Sequence, residues 1–73
     1  MKPTREDAYE AIAKSLREFG YPDATAVMVR ETHEAMKAGK GEDNLPHGIV
    51  GMFAHSQLKE HNEWISNLPD TKP

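Results

Sequence analysis

The sequence predicts an all-α fold, a small three-helix bundle, in a single domain over residues 1–66. Three segments repeat apolar residues at intervals of three and four positions, which place them on one face of a helix. No segment alternates apolar and polar residues in the manner of a half-buried strand. Glycine, proline and polar residues separate the three segments, and we expect residues 67–73 to form a flexible polar tail.

The first helix is predicted over about residues 5–19. Thr4 and Asp7 have the spacing of a capping box at its N-terminus, and Gly20 suits the position after its last turn. The face that we expect to be buried comprises residues at helical spacing: Ala8, Ala11, Ile12, Ser15, Leu16 and Phe19.

The second helix is predicted over about residues 24–38, after the connector at 21–23. Pro22 fixes its own φ and disfavours the helical conformation at Tyr21, so the first helix cannot continue. Asp23 or Thr25 is expected to cap the second helix. Its buried face is expected to be less apolar than that of the first: Thr25, Met28, Val29, Thr32, Ala35, Met36 and Gly39.

The third helix is predicted over about residues 46–66, after a loop at 39–44 that is rich in glycine and polar residues. Asn44 can cap this helix, and Pro46 lies in its first turn, where proline is tolerated. The expected apolar stripe is Val50, Phe53, Ala54, Leu58, His61, Trp64 and Ile65.

The glycine positions and the small number of apolar residues favour a domain that a partner stabilises. Gly48 and Gly51 each cost about 1 kcal/mol relative to alanine in a helix, so we expect another helix or chain to approach them closely. Leu, Ile, Val and Phe supply only 12 of the 73 residues, and a domain of this size has a thin margin of stability. An up-down-up bundle is the simplest arrangement; a helical hairpin that exchanges its third helix in a dimer is the second.

Composition narrows the classes of protein to which the chain can belong. It has no cysteine, which excludes a disulfide framework and a thiolate zinc site. No apolar run approaches the roughly 20 residues of a membrane span, and the first residues lack the apolar stretch of a secretion signal. With a net charge of −3, the chain is expected to be a soluble cytoplasmic protein without membrane association.

Side chains that could support catalysis or metal binding do not form a recognisable pattern. The histidines lack the spacing of three or four residues that a helical metal pair needs: His33, His47, His55 and His61. We expect them at the surface or the core edge, with His61 at the core edge. The carboxylates fall on outward helix positions, and Ser15 and Ser56 have no triad context. We therefore expect no enzymatic activity, cofactor, metal or small-molecule substrate.

A helix-turn-helix DNA-binding protein is the alternative function. The first two helices and the glycine-containing turn between them have suitable lengths. The side chains expected to contact phosphates or bases are Arg17, Thr25, Arg30 and Lys37. Because phosphate neutralisation dominates affinity for DNA, the net charge of −3 makes DNA a less expected partner than protein.

Residues 45–53 indicate a surface for protein interaction. On one helix, Ile49, Val50, Met52 and Phe53 cannot all face a single core. Either Met52 and Ile49 are exposed for a partner, or they pack under the loop at 40–44. The residues expected to contact a partner are Tyr21, Val27, Met52, Phe53 and Trp64. Phe53 and Trp64 could equally belong to the core.

Two runs, REFGYPD at residues 17–23 and LPHGIVGMF at 45–53, resemble short uncharacterised proteins of actinobacteria and their phages. The resemblance implies a phage or mobile-element origin, and small proteins of that kind often bind a host protein. From its residues, we expect the chain to be a non-enzymatic protein-interaction module. It would dock through helix surfaces onto another protein, or onto itself as a homodimer.

Overall fold

The computed structural model describes residues 3–69, and within them it confirms the all-α bundle. Its elements are α1 (Arg5–Phe19), α2 (Ala26–Lys37), α3 (Gly48–Glu60) and α4 (Asn62–Ser66), with a single 3₁₀ turn at Glu42–Asn44. No residue between 3 and 69 lies in a strand. The segment predicted as one long third helix is two helices, α3 and α4, separated at His61.

Local chemistry at both ends fixes α1 where the sequence predicts it. The Thr4 hydroxyl accepts the Asp7 backbone N–H at 3.2 Å, and the Asp7 carboxylate accepts the Thr4 N–H at 2.9 Å, so the capping box is confirmed. At the other end, Gly20 has φ 132°, which turns the chain back so that the Tyr21 N–H reaches the Leu16 carbonyl at 3.0 Å.

The buried face of α1 differs from the predicted one. Ala8, Ile12 and Leu16 are buried as predicted, but Ala11, Ser15 and Phe19 are exposed. Tyr9 and Ala13 take their place in the core. The face is rotated because α2 packs on the Tyr9 side of α1, where the Tyr9 hydroxyl meets the His33 ring of α2.

Thr25 caps α2, and its hydroxyl accepts the Met28 N–H at 3.3 Å. Thr25 is therefore an exposed cap and not part of the buried face, and Gly39 lies beyond the helix and is also exposed. Val29, Thr32 and Ala35 are buried as predicted, with the Thr32 hydroxyl donating to the Met28 carbonyl at 2.9 Å.

The start of α3 corrects two predictions. Asn44 belongs to the 3₁₀ turn and does not cap the helix, which begins at Gly48 after His47 in the left-handed region at φ 69°. The Pro46 carbonyl occupies the place where a Cβ at residue 51 would lie. Gly51 is thus explained by the chain's own loop, and not by another helix or chain as predicted, because only glycine tolerates this approach.

The C-terminal part of the described chain is held against α1. The Pro69 carbonyl accepts the Arg5 backbone N–H at 2.8 Å, and the Arg5 guanidinium donates to the Ser66 carbonyl at 3.1 Å. Leu68 is half-buried against the core. The predicted flexible tail at 67–73 therefore begins with anchored residues, because backbone groups at both ends of the domain satisfy each other; residues 70–73 lie outside the described residues.

The core is small and rich in alanine. Its large, fully buried apolar side chains are Tyr9, Leu16, Val29, Leu58 and Ile65. Five alanines fill the remaining space: Ala8, Ala13, Ala24, Ala35 and Ala54. Alanine lets the helices approach closely, but it contributes little apolar area to the core. The narrow margin of stability stays a prediction.

Candidate interaction surface

The first two turns of α3 are apolar on every side. Its inner face buries Gly51, Ala54 and Leu58, whereas Ile49 and Met52 on the outer face keep 59% and 49% of their surface exposed. A helix that is apolar all round is normally covered all round. Here the bundle covers only one side, and the outer side faces solvent.

Three aromatic rings extend this outer face toward the end of α1. The Phe19 and Phe53 ring centroids are 5.5 Å apart, those of Tyr21 and Phe53 are 5.4 Å apart, and those of Phe19 and Tyr21 are 6.1 Å apart. These separations lie in the range of favourable aromatic contacts. The reversal at Gly20 brings Tyr21 back beside Phe19, so the last turn of α1 and the first turns of α3 share one surface.

We call this surface the apolar patch and define it by five residues: Phe19, Tyr21, Ile49, Met52 and Phe53. At on the order of 200 Å² per large side chain, the exposed fractions of its four most exposed members leave about 400 Å² of apolar surface open to water. Contiguous patches of this size on small proteins are often binding sites.

A groove lies beside the patch, between α1 and α3. It has a volume of about 470 Å³ and is lined by Ser15, Leu16, Glu18, Phe19, Phe53 and Gln57. A second groove of about 200 Å³ shares Gln57 with the first and extends along α1 to Trp64 on α4. The polar side chains that line the grooves are Ser15, Glu18 and Gln57 in the first, and Gln57 and His61 in the second.

The residues predicted to contact a partner fall in three places. Tyr21, Met52 and Phe53 come together in the apolar patch. Val27 is 49% exposed in the first turn of α2, and Trp64 is 53% exposed on α4, with its ring edge-on to His61. Both lie outside the patch as defined and are not part of the candidate interaction surface. The exposure of Phe53 and Trp64 places them on the surface, and His61, expected at the core edge, is exposed as well.

The exposed fractions of the patch residues decide one alternative that the sequence left open and correct one prediction. Ile49 and Met52 are too exposed to pack under the loop at 40–44. Phe19 was expected in the core, yet it is 69% exposed, the most exposed large apolar side chain of the described residues. The sequence signal for Phe19 is its place as the last residue before the glycine that ends α1, where a side chain extends past the facing helix.

Both arginines proposed for DNA contact form hydrogen bonds and ion pairs with other residues of the bundle. Arg17 donates to Glu10 at 2.7 Å and to the Ala24 carbonyl at 2.9 Å. Arg30 donates to Glu6 at 2.9 Å, which joins α2 to α1. Each guanidinium thus has a carboxylate partner that a phosphate would have to replace.

The other two residues proposed for DNA contact lie elsewhere on α2. Thr25 uses its hydroxyl as the helix cap. Lys37 lies beside Lys59 in a shallow cleft of about 210 Å³ with Met36 and Asn62. Two of the four residues are thus held in ion pairs and a third serves as a helix cap, and DNA binding stays a prediction.

A polar group in the core joins three helices. The Tyr9 hydroxyl and His33 Nδ1 are 2.6 Å apart, and His33 Nε2 lies 3.4 Å from Asn62 Oδ1. Burial lowers the pKa of His33 below its usual 6.5; the Asn62 contact acts in the opposite direction, and Lys37 and Arg5 add to the lowering. The group holds α1, α2 and α4 together around a neutral imidazole.

Among residues 3–69, no three His, Asp or Glu side chains come close enough to share a metal ion. His47 instead contacts Glu31 at 2.7 Å and links α2 to the start of α3. No helix within the same residues has both the length and the apolar character to cross a membrane.

Comparison of the chain with protein-family models, with curated proteins and with solved structures gives no significant match. The geometry of its own surface is therefore what bears on function.

Proposed function

We propose that the chain is a non-enzymatic protein-interaction module that binds a protein through the apolar patch. The observation that supports this function is the continuous apolar surface that Phe19, Tyr21 and Phe53 form with the outer face of α3. Leaving about 400 Å² of apolar surface in water is unfavourable for a domain with so small a core. Covering it with a partner removes that penalty.

The composition of the patch fits a binding site better than it fits a catalytic one. Aromatic side chains and methionine are enriched at the centres of protein interfaces. The aromatic ones lose little conformational entropy for the area they bury. Met52 has three rotatable bonds and adapts to an irregular partner surface. The cytoplasm is the expected site of action, and the resemblance noted above adds a host protein to the classes of partner.

A capture experiment with two matched variants tests this function. The full chain, carrying an affinity tag, is incubated with nuclease-treated lysate of its own cell and with a second copy that carries a different tag. Met52→Glu places a charge in the patch, whereas Val27→Glu places the same charge at an equally exposed site outside it; both residues are 49% exposed. Glutamate is a good helix former, so both variants should keep their helices.

We expect the wild type and Val27→Glu to retain the same protein, and Met52→Glu to lose it. Equal capture by all three chains would contradict the proposed function. Retention of duplex DNA that weakens steeply with salt and on substitution Arg30→Ala would support the helix-turn-helix alternative instead.

A further inference from the structure

We propose that the partner of the apolar patch is a second copy of the chain, and that two copies join their α3 outer faces about a two-fold axis. This inference rests on the proposed function and names its partner. It is carried by three observations: the area of the patch, its lack of charge, and the helical spacing of its residues.

The area of the patch matches what a small stable dimer needs. A standard interface buries roughly 800 Å² on each partner, of which somewhat more than half is apolar. The exposed parts of Phe19, Ile49, Met52 and Phe53 supply about 400 Å² of that apolar share on one side of the molecule. Polar side chains at the edge of the patch can supply the rest of the interface area, since Glu18 and Gln57 line the adjoining groove.

The charge distribution favours an identical partner. A two-fold axis places each residue of the interface near its own copy, so a charged patch would repel itself. No Asp, Glu, Lys or Arg occurs between Asp43 and Lys59, although these types make up 29% of the chain. Self-association through this face therefore brings no like charges together at its centre. The net charge of −3 on each copy resides elsewhere and is screened at physiological salt.

The spacing on α3 is that of a helix-packing seam. Ile49, Met52, Phe53 and Ser56 are exposed and recur at i, i+3, i+4 and i+7. Residues at these intervals form the stripe by which one helix packs against another. Two copies of α3 laid antiparallel across a two-fold axis would bury this stripe in both chains, with the Phe19 and Tyr21 rings beside it.

The oligomeric state in solution tests the inference directly. Light scattering and sedimentation of the full chain, from micromolar to millimolar concentration, should give twice the 8.2 kDa mass of one chain. Met52→Glu should raise the dissociation constant by about 100-fold or more, since it buries two unpaired carboxylates near the axis. Val27→Glu should behave as the wild type, and far-ultraviolet circular dichroism should show the same helix content in all three chains.

A second measurement does not depend on how well the charge is tolerated. Because the chain has no cysteine, Met52→Cys provides a single thiol in the patch, and Val27→Cys provides one outside it. Mild oxidation of dilute protein joins two thiols into a disulfide only where they meet. We expect rapid cross-linking of Met52→Cys and not of Val27→Cys.

The outcomes separate this inference from the proposed function. A wild type that stays monomeric at all concentrations, while another protein binds in a Met52-dependent way, overturns the dimer and leaves the proposed function intact. A monomer without Met52-dependent binding of any protein overturns both. A dimer that Met52→Glu does not weaken, or equal cross-linking of both cysteine variants, also overturns the assignment of the dimer to this face.

Discussion

The α2 and α3 helices have similar lengths and pack on the same α1, but α2 buries two polar side chains and exposes mainly charged ones, whereas α3 exposes large apolar ones. The inner face of α2 includes Thr32 and His33, both fully buried, and its outer face is charged. The inner face of α3 is entirely apolar, and so are the side chains that its first two turns expose. The outer face of α2 is the kind that water solvates well, whereas that of α3 leaves apolar surface in water.

The two helices also differ in how they are held. Hydrogen bonds connect α2 to its neighbours, through Arg30 to Glu6 and through His33 to Tyr9 and Asn62. By contrast, α3 is held mainly by apolar burial, with Leu58 completely inaccessible to water. Substitutions on α2 should therefore act through lost hydrogen bonds, and those on α3 through lost apolar contacts. The expected effects below run from the largest to the smallest.

Removal of the largest inner side chain of α3 should have the greatest effect on stability. Leu58→Ala leaves a cavity in a core that already consists largely of alanine, and we expect a loss of about 3 kcal/mol in the free energy of unfolding. Urea denaturation followed by circular dichroism measures it, at one fixed protein concentration because association adds to apparent stability. A loss below about 1 kcal/mol would show that α3 is not held by this core.

The start of α3 should be the next most sensitive point. Gly51→Ala forces a methyl group against the Pro46 carbonyl, and we expect a loss of about 2 kcal/mol although alanine is the better helix former. Gly41→Ala is the matched control, because its added Cβ meets open space and its φ is negative. If Gly51→Ala stabilised the protein, the turn at residues 46–48 would have to relax without penalty.

The polar interior of α2 should make stability depend on pH. Because burial holds the pKa of His33 below 6.5, the unfolded chain binds more protons than the folded one between the two pKa values. The contribution of neutral His33 is therefore complete above pH 6.5 and is lost as the pH falls through the folded pKa. The groups that face His33 are Tyr9, Asn62, Lys37, Arg5 and Glu34.

Unfolding free energies measured at a series of pH values test this dependence. His33→Gln should flatten the slope just below pH 6.5, while His61→Gln, at an exposed site, should keep it. A wild-type slope that survives in His33→Gln would assign the dependence to other groups.

Substitutions on the outer faces of α2 and α3 should have the smallest effects on the stability of the monomer. Arg30→Ala removes a half-exposed ion pair and should cost about 0.5 kcal/mol. Met52→Glu should change the stability of the monomer by no more than about 0.5 kcal/mol, because its side chain is already half in water. The contrast appears only in association, which Met52→Glu should abolish and Arg30→Ala should leave unchanged.

The features that the sequence predicted well are those that local chemistry determines. Thr4, Asp7 and Gly20 mark the ends of α1 through hydrogen bonds to residues three or four positions away, and Thr25 marks the start of α2 in the same way. Helix geometry gave the exposure of Met52 as one of two alternatives, since residues 49, 50, 52 and 53 cannot share one face, and the structure selects it.

The features that were missed depend on where neighbouring helices lie. Phe19 has the spacing of a core residue, but the bundle does not extend over the last turn of α1. His33 was expected at the surface or the core edge, yet a tyrosine from α1 and an asparagine from α4 enclose it. The late start of α3 depends on His47 adopting a left-handed conformation, which no local pattern in the sequence indicates.

The hydrogen bond between Arg5 and Pro69 brings both boundaries of the described chain to one pole of the molecule. The aromatic rings lie at the other end of α1, which spans 15 residues and therefore about 20 Å. A polypeptide fused before Arg5 or after Pro69 would therefore emerge from the domain at a point far from the apolar patch. Fusions and tethers at either boundary of the described residues should therefore leave that face free.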